Sequence, residues 1–236
     1  MNIPKTIINS ILNFFYPNVC IVCGDSTDGN NLSICRKCLD KIEYIKPLCC
    51  QTCSQPLPDG GAHCWQCRKT KYHFEKIVAV GKYVDVLREL ILKFKKKDFL
   101  KNVLGNLLIK VLKKNVNIKE FDLIVAVPLS KKKEFFRGYN QSQLLSEFIA
   151  CKFDKQVIKG NLIRARNTKS QFELTREERL INLKNAFKVK NPLVFENKNV
   201  ILVDDIATTC STLEECSIVL KNAGAKKVLC AVLARD

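Results

Sequence analysis

Two adjacent carboxylates, Asp204 and Asp205, end an apolar run in the stretch VILVDDIATTCSTLEE, residues 200–215. Small hydroxyl side chains follow, and then a segment predicted to form a helix from Ser211 to Asn222. The free backbone N–H groups and the positive dipole end at a helix start bind phosphate, whereas the two acids suit a sugar diol or a divalent cation. These residue types predict a ribose-phosphate site rather than an ordinary strand, loop and capped helix, because paired acids on a buried strand are costly without a ligand.

Eight of the 13 cysteines form four C-x-x-C units, separated by segments of 11, 11 and 10 residues. Two such units complete the four-thiolate tetrahedral shell of structural zinc, so eight ligands predict two zinc ions. Neighbouring units are expected to share an ion because the shorter loop costs less entropy to close. The spacing also allows the alternative, in which alternate units share an ion. A disulfide framework is disfavoured because the sequence shows no signal-peptide pattern. The predicted ligands are Cys20, Cys23, Cys35, Cys38, Cys50, Cys53, Cys64 and Cys67.

The elements that must position the acid pair follow the cysteine-rich region. Apolar strands are predicted over 76–84, 122–128, 199–205 and 226–235, with a strand or hairpin over 156–166. Helices are predicted over 86–97, 99–114, 140–153, 175–187 and 211–222. This alternation indicates an α/β fold with a parallel sheet flanked by helices. Ligands of such sheets bind beyond the carboxyl ends of the strands, where the loop PLSKKK (128–133) and the acid pair are expected.

Two domains are expected: residues 1–70, with an N-terminal helix and a double zinc ribbon, and residues 71–236, the α/β domain. The composition, 47% hydrophobic and 27% charged, is that of an ordinary globular protein. No apolar run reaches 18 residues, so a membrane span is not expected. The first residues lack the pattern of a signal peptide, and the protein is therefore predicted to be cytoplasmic.

The net charge of +17 is concentrated in the second part of the chain. Residues 1–70 hold 7 basic and 5 acidic residues, and the remainder holds 33 and 18, so the basic excess is 2 and 15 respectively. Such an excess attracts phosphorylated small molecules or nucleic acid, although it can also serve solubility alone. Aromatic residues among the lysines could stack on bases of single-stranded DNA. The candidate DNA contacts are Lys95, Lys96, Lys97, Lys131, Lys132, Lys133 and Arg137.

Residues 200–212 resemble the ribose-phosphate signature of type I phosphoribosyltransferases. The stretches RGYNQ (137–141), REERLINLKNAF (176–187) behind Gln171, and AGAKKVLCAVLARD (223–236) extend the likeness. Together with the double zinc ribbon, they resemble the ComF-type competence proteins over nearly the whole chain. The implied fold is a type I phosphoribosyltransferase-like sheet preceded by a small zinc module.

The resemblance implies that the site binds 5-phosphoribosyl 1-pyrophosphate (PRPP) with magnesium. Asp204 and Asp205 would bind the ribose hydroxyls, directly or through the cation. Ser130 and Lys131 would lie in the pyrophosphate loop, and Arg137 would reach the same phosphates. The implied 5′-phosphate loop comprises Ala207, Thr208, Thr209, Cys210, Ser211 and Thr212.

ComF-type proteins are associated with natural transformation, in which incoming single-stranded DNA is handled in the cytosol. The resemblance therefore implies a role in DNA uptake, with single-stranded DNA and other DNA-uptake proteins as partners. The alternative is an active phosphoribosyltransferase that transfers ribose 5-phosphate from PRPP to a nucleobase or a related acceptor. The sequence leaves turnover open, because it contains no evident base-recognition segment.

Cys210 departs from the family pattern, which usually has glycine at this position. Glycine permits positive φ and a close approach of the backbone to phosphate. If the loop needs positive φ here, cysteine costs about 1 to 2 kcal/mol. We expect weakened binding rather than lost binding.

Overall fold

The computed structural model describes residues 19–27, 33–166 and 183–236. The chain divides into two compact units, Met1–Ile42 and Glu43–Asp236. The second unit therefore holds four of the eight paired cysteines together with the sheet. The motif-based domain boundary at residue 70 stays a prediction, and the predicted N-terminal helix lies outside the described residues.

The first unit carries two of the C-x-x-C units. A turn closed by the backbone bond from Gly24 N to Cys20 O, 2.9 Å long, carries the first pair. A short helix, α1 (Arg36–Asp40), begins directly after Cys35 and carries Cys38. Cys20 and Cys38 are both buried in this unit.

The second unit contains the α/β fold that the sequence predicts. Its strands are β1 (Lys76–Lys82), β2 (Leu123–Ala126), β3 (Gln156–Ile158), β4 (Leu162–Arg164), β5 (Phe187–Val189), β6 (Asn199–Ala207) and β7 (Lys227–Arg235). Its helices are α2 (Trp65–Lys69), α3 (Asp85–Phe94), α4 (Lys101–Asn115), α5 (Lys131–Arg137), α6 (Gln141–Phe153) and α7 (Ser211–Asn222). Short 3₁₀ helices occupy Asp98–Leu100, Ile118–Glu120 and Pro192–Val194.

Five parallel strands form the main sheet in the order β1-β7-β6-β2-β3. The interior strand β7 is buried along almost its whole length, and the central strand β6 is buried from Val200 to Val203. Both read as continuous apolar runs because helices cover the two faces of a parallel sheet. The predicted fold class is confirmed. No helix within the described ranges is long and apolar enough to cross a bilayer.

The segment predicted as a strand or hairpin over 156–166 belongs to two different sheets. β3 extends the main sheet beside β2, whereas β4 pairs antiparallel with β5. The chain turns away at Gly160, which has φ +65°, and Asn161 Oδ1 then accepts the N–H groups of Lys190 and Asn191 at 3.1 and 2.8 Å. Most of the predicted helix 175–187 lies outside the described residues, and its last residue begins β5.

The loop expected at PLSKKK is only partly a loop, because α5 begins at Lys131. The Ser130 side chain accepts the Lys133 N–H at the start of this helix. Gly138 ends it in the left-handed conformation, with φ +77°. A serine cap and a glycine stop are the local signals of a short helix that the lysine run concealed.

The edge strand β1 is covered by the segment that leads into the second set of cysteines. Ile45 N donates to Val80 O at 3.1 Å, and Lys82 N donates to Glu43 O at 2.8 Å. A Cβ on Gly81 would lie only 2.6 Å from Glu43 O, so this close approach requires glycine. The pairing protects an otherwise open sheet edge.

Candidate ligand-binding cleft and metal centres

A cleft of about 800 Å³ opens at the carboxyl ends of β2 and β6, which are neighbours in the sheet. This is the edge at which ligands of parallel sheets bind. Almost all the residues predicted to bind PRPP line it, and Lys131 is not among the described lining residues. The predicted residues that do line it are Ser130, Arg137, Asp204, Asp205, Ala207, Thr208, Thr209, Cys210, Ser211 and Thr212.

Asp204 is positioned by a residue that the sequence analysis missed. Ser142, in the first turn of α6, donates its hydroxyl to Asp204 Oδ1 at 2.9 Å, and the Asp205 N–H donates to the same oxygen at 2.9 Å. Burial raises the pKa of Asp204 to about 7, and the charge of Asp205 adds to the rise, while these two hydrogen bonds oppose it. A divalent cation in the cleft would favour the ionised carboxylate.

The connection from β6 to α7 holds Cys210 in a strained conformation. Cys210 is the N-cap of α7 with φ +65° and ψ 0°, and only 4% of it is exposed. Thr209 and Ser211 on either side of it hydrogen-bond through their hydroxyl groups at 2.8 Å. The loop therefore adopts positive φ at this position, a conformation that glycine adopts without strain.

Cations from three elements line the same cleft as the acid pair. Lys132, Lys133 and Arg137 come from α5, Lys95 from the end of α3 and Arg164 from β4. Desolvation lowers the pKa of Lys133, and the charges of Arg137, Arg164 and Lys95 lower it further. Such a concentration of positive charge suits a polyphosphate.

The RGYN motif joins the two basic runs of the sequence. Tyr139 donates its hydroxyl to Phe94 O at 2.5 Å, which ties the motif to the end of α3, and Asn140 Nδ2 donates to Val127 O at 3.0 Å at the end of β2. Arg137 Nη1 donates to Gln141 Oε1 at 2.9 Å, which orients the guanidinium. Lys95 therefore lies beside the α5 cations.

The other candidate DNA contacts lie around this cleft rather than in it. Lys96, Lys97 and Lys131 are exposed and do not belong to its described lining. Phe135 and Phe136 of α5 are 84% and 75% exposed. Exposed aromatic rings beside cations form the kind of surface on which single-stranded bases stack. Phe136, one of the aromatic residues among the lysines, also lines the cleft. Tyr83 and Asp236 line it as well and were missed by the sequence analysis, since they carry no recognisable spacing.

Neighbouring C-x-x-C units come together, as the loop-closure argument favours. The first cysteine cluster is Cys20, Cys23, Cys35 and Cys38, and the second cysteine cluster is Cys50, Cys53, Cys64 and Cys67. Within each cluster all four sulfur atoms lie within 4.8 Å of one another. All eight cysteines are free of disulfides.

The sulfur spacing fits a four-thiolate zinc centre. Cys23 Sγ and Cys35 Sγ are 3.6 Å apart in the first cluster, and Cys53 Sγ and Cys64 Sγ are also 3.6 Å apart in the second. Tetrahedral ligands at a Zn–S distance of about 2.3 Å lie about 3.8 Å from each other. The two clusters are consistent with two zinc ions. Cys49 belongs to neither cluster.

Two family models match different parts of the chain. A family model described as a double zinc ribbon domain matches residues 11–68. A second, described as a phosphoribosyl transferase domain, matches residues 146–236.

Two curated relatives match along nearly their full length. The chain is 32% identical to "Competence protein F" of Haemophilus influenzae over 95% of this chain and 100% of that protein. It is 31% identical to "DNA utilization protein YhgH" of Escherichia coli K12 over 93% and 97% respectively. Among solved structures, an allosteric regulatory enzyme of purine biosynthesis aligns with a TM-score of 0.39 at 22% identity, over 56% of this chain and 26% of that one.

Proposed function

Because this chain belongs to the competence protein F family, with a double zinc ribbon and a phosphoribosyltransferase domain, we propose that it acts in DNA uptake. In this role it handles single-stranded DNA and binds PRPP with magnesium in the cleft beyond β2 and β6. The names of two relatives, which refer to competence and to DNA utilization, support the cellular role. The residues that line the cleft support PRPP as the ligand.

The observation that carries the proposal is the convergence of opposite charges in one cleft. Asp204 and Asp205 lie at the end of β6, next to a helix start, and the cations of α5 face the same space. A ribose carrying phosphates on both sides needs this combination: acids for its hydroxyls or a bound cation, and positive groups for its phosphates. Magnesium, when bound, would neutralise part of the pyrophosphate charge next to the acids.

The surface around the cleft is separate evidence for the binding of single-stranded DNA. The cations at the end of α3 and along α5 lie side by side because Tyr139 bonds to Phe94 O. Phe135 and Phe136 stand exposed among them. Backbone phosphates would lie along the cations, and bases would stack on the rings without sequence preference.

The test is a calorimetric titration of the full chain with magnesium and PRPP, followed by the same titration with a poly-dT oligonucleotide present. We expect PRPP to bind and poly-dT to weaken that binding, because Lys132, Lys133 and Arg137 would serve both ligands. Heats no larger than those of magnesium alone would contradict the PRPP site. If saturating poly-dT leaves the affinity for PRPP unchanged, DNA does not bind at the cleft.

An active phosphoribosyltransferase is the second candidate, and the size of the cleft favours it. A volume of about 800 Å³ lies in the upper part of the range of about 300 to 1,000 Å³ found for small-molecule sites. An acceptor could therefore occupy the cleft beside PRPP. Such transfer depends on positioning and charge stabilisation, so it needs no nucleophile from the protein. Release of pyrophosphate from PRPP in the presence of individual nucleobases tests for turnover, and its absence with every base would favour a binding role.

A further inference from the structure

Arg235, the last residue of β7, contacts both the second cysteine cluster and the loop of the proposed ligand site. Its side chain is buried, with 4% of the residue exposed. Nε donates to Cys53 O at 3.0 Å. Nη1 donates to Ala207 O at 2.9 Å and also to the main-chain oxygen atoms of Thr208 and Asp236. One guanidinium thus joins the backbone of a zinc ligand to the β6–α7 loop, residues 207–212.

The bonds from Arg235, together with the strand bond from Asp236 N to Ala207 O at 3.0 Å, fix which way the amide groups of this loop face. The C=O of Ala207 and the N–H of Thr208 belong to one trans peptide group and point in opposite directions. The same holds for the C=O of Thr208 and the N–H of Thr209. Because both carbonyl oxygens bond to Arg235, both amide hydrogens point away from it. Thr208 and Thr209 line the cleft, where such N–H groups bind an anion.

The charge of Arg235 matches that of a metal-loaded cluster. A buried guanidinium is costly unless negative charge lies nearby. One zinc ion with four thiolates carries two formal negative charges, and Arg235 bonds directly to the backbone of Cys53. The ribbon is also anchored to the sheet beside this bond, because Ser54 Oγ donates to Ile77 O at 2.6 Å and Ile77 N donates to Thr52 O at 2.7 Å.

We propose that Arg235 is a positioning residue through which the zinc-loaded second cysteine cluster holds the β6–α7 loop in its ligand-binding geometry. Zinc in this cluster is then a condition for tight ligand binding at the cleft. The inference depends on the proposed function, since it takes the ligand phosphate to bind this loop.

The first experiment compares two arginine variants of the full chain by calorimetry with magnesium and PRPP. In R235K the charge is kept, but a single ammonium cannot bond the separated carbonyl groups as the planar fork does. We expect R235K to bind PRPP about tenfold more weakly or worse, which corresponds to the loss of one or two charged hydrogen bonds. R68K is the matched control, because Arg68 lies in the same ribbon, is exposed, and donates Nε to His63 O at 3.0 Å.

The second experiment measures the reciprocal effect, which a merely structural role of Arg235 would not produce. Binding coupling is symmetric, so a ligand that needs zinc must also retain zinc. Trp65 is the single tryptophan of the chain and lies between Cys64 and Cys67, so its fluorescence reports on the second cluster. We expect magnesium with PRPP to raise the zinc-chelator concentration needed to change this fluorescence about tenfold in the wild type, relative to magnesium alone.

The outcomes separate the inference from the function on which it depends. A wild-type protein that does not bind PRPP would overturn the proposed function and this inference with it. Wild-type binding that R235K retains, or PRPP binding that leaves zinc retention at the second cluster unchanged, would overturn the inference alone. The fluorescence experiment needs only the wild-type protein, so unchanged zinc retention overturns the inference even where R235K does not fold.

Discussion

Asp204 and Asp205 are neighbours in the sequence, but within the described ranges only Asp204 accepts a side-chain hydrogen bond from a distant residue. Its Oδ1 accepts the Ser142 hydroxyl, 62 positions earlier in the chain. Asp205 lines the cleft beside it. A single cation or a ribose diol would be held by the pair together.

Replacing both acids with asparagine should remove ligand-induced stabilisation without unfolding the protein, because asparagine keeps the shape of the side chain. At PRPP concentrations of about 100 times Kd, the wild type should gain about 2.7 kcal/mol, which corresponds to several degrees in Tm. D204N/D205N should show no such shift in a thermal denaturation experiment. D59N, at an exposed acid outside the cleft, is the control and should keep the full shift. If the double variant keeps the PRPP-induced shift in Tm, these two acids do not bind the ligand.

The raised pKa of Asp204 predicts opposite pH trends for the free and the bound protein. Its folded-state pKa of about 7 exceeds the ordinary value of 3.8. The contribution of this group to stability is therefore fully present below about pH 4 and is lost as the pH rises through 7. A ligand that needs the carboxylate should bind more tightly over the same rise. The PRPP-induced shift in Tm should be larger at pH 8 than at pH 6, and this difference should be smaller in D204N than in the wild type. If the difference between the two pH values is the same in D204N and in the wild type, it arises from titration of the ligand's own phosphates.

The positive φ of Cys210 predicts that glycine and alanine at this position differ in their effect on protein stability. Both C210G and C210A remove the buried thiol, but only alanine keeps a Cβ at φ +65°. Relief of left-handed strain is worth about 1 to 2 kcal/mol per residue, so C210G should be at least as stable as C210A in urea denaturation. At an ordinary φ the order would be reversed, since alanine loses less chain entropy on folding. C210G should also bind PRPP at least as tightly as the wild type.

At the scale of elements, α5 and the end of α3 form one basic surface with two parts. Lys132 and Lys133 line the cleft, whereas Lys96 and Lys97 lie outside its described lining. Each single-strand phosphate contact contributes a slope of about 0.7 in the logarithm of affinity against the logarithm of salt. This surface therefore allows the two proposed ligands to be tested with matched pairs of lysines.

K132A/K133A and K96A/K97A should each reduce the salt slope of poly-dT binding by up to about 1.4, because each removes up to two phosphate contacts. Only K132A/K133A should also weaken PRPP binding. Fluorescence anisotropy at several salt concentrations measures the first effect, and calorimetry measures the second. Equal loss of PRPP affinity in both variants would contradict the division of the basic surface at the cleft.

At the scale of the whole molecule, the two cysteine clusters belong to different compact units. Cys50 and Cys53 are part of the hydrophobic core that also contains residues of β2, β6 and β7. The second cluster is thus part of the unit that holds the sheet, although its sequence motif is the same as that of the first.

Metal analysis should find two zinc ions per chain, and each cluster should account for one. C20S/C23S and C50S/C53S should both contain a single ion. Because structural zinc contributes on the order of 10 kcal/mol in small modules, C50S/C53S should greatly lower the Tm of the sheet-containing unit, whereas C20S/C23S should leave that transition near its wild-type position. One zinc ion in the wild type would contradict the two-site prediction.

The sequence by itself determined the features that depend on local chemistry. The apolar run before Asp204 required a buried strand, the residues after it required a helix from Ser211 to Asn222, and C-x-x-C spacing required paired thiolates. The short closing loops also favoured the pairing of neighbouring units. Local signals for α5 were present as well, in Ser130 and Gly138, but the lysine run outweighed them.

Only the tertiary structure decided which distant residues meet. The order of the strands sets β2 beside β6 and so brings the α5 cations to the acid pair. Ser142 reaches Asp204 and Arg235 reaches Cys53 across 62 and 182 positions of the chain. A serine in a helix or an arginine at the end of a strand carries no local mark of such a partner, because the contact depends on how the elements pack rather than on the residues beside it.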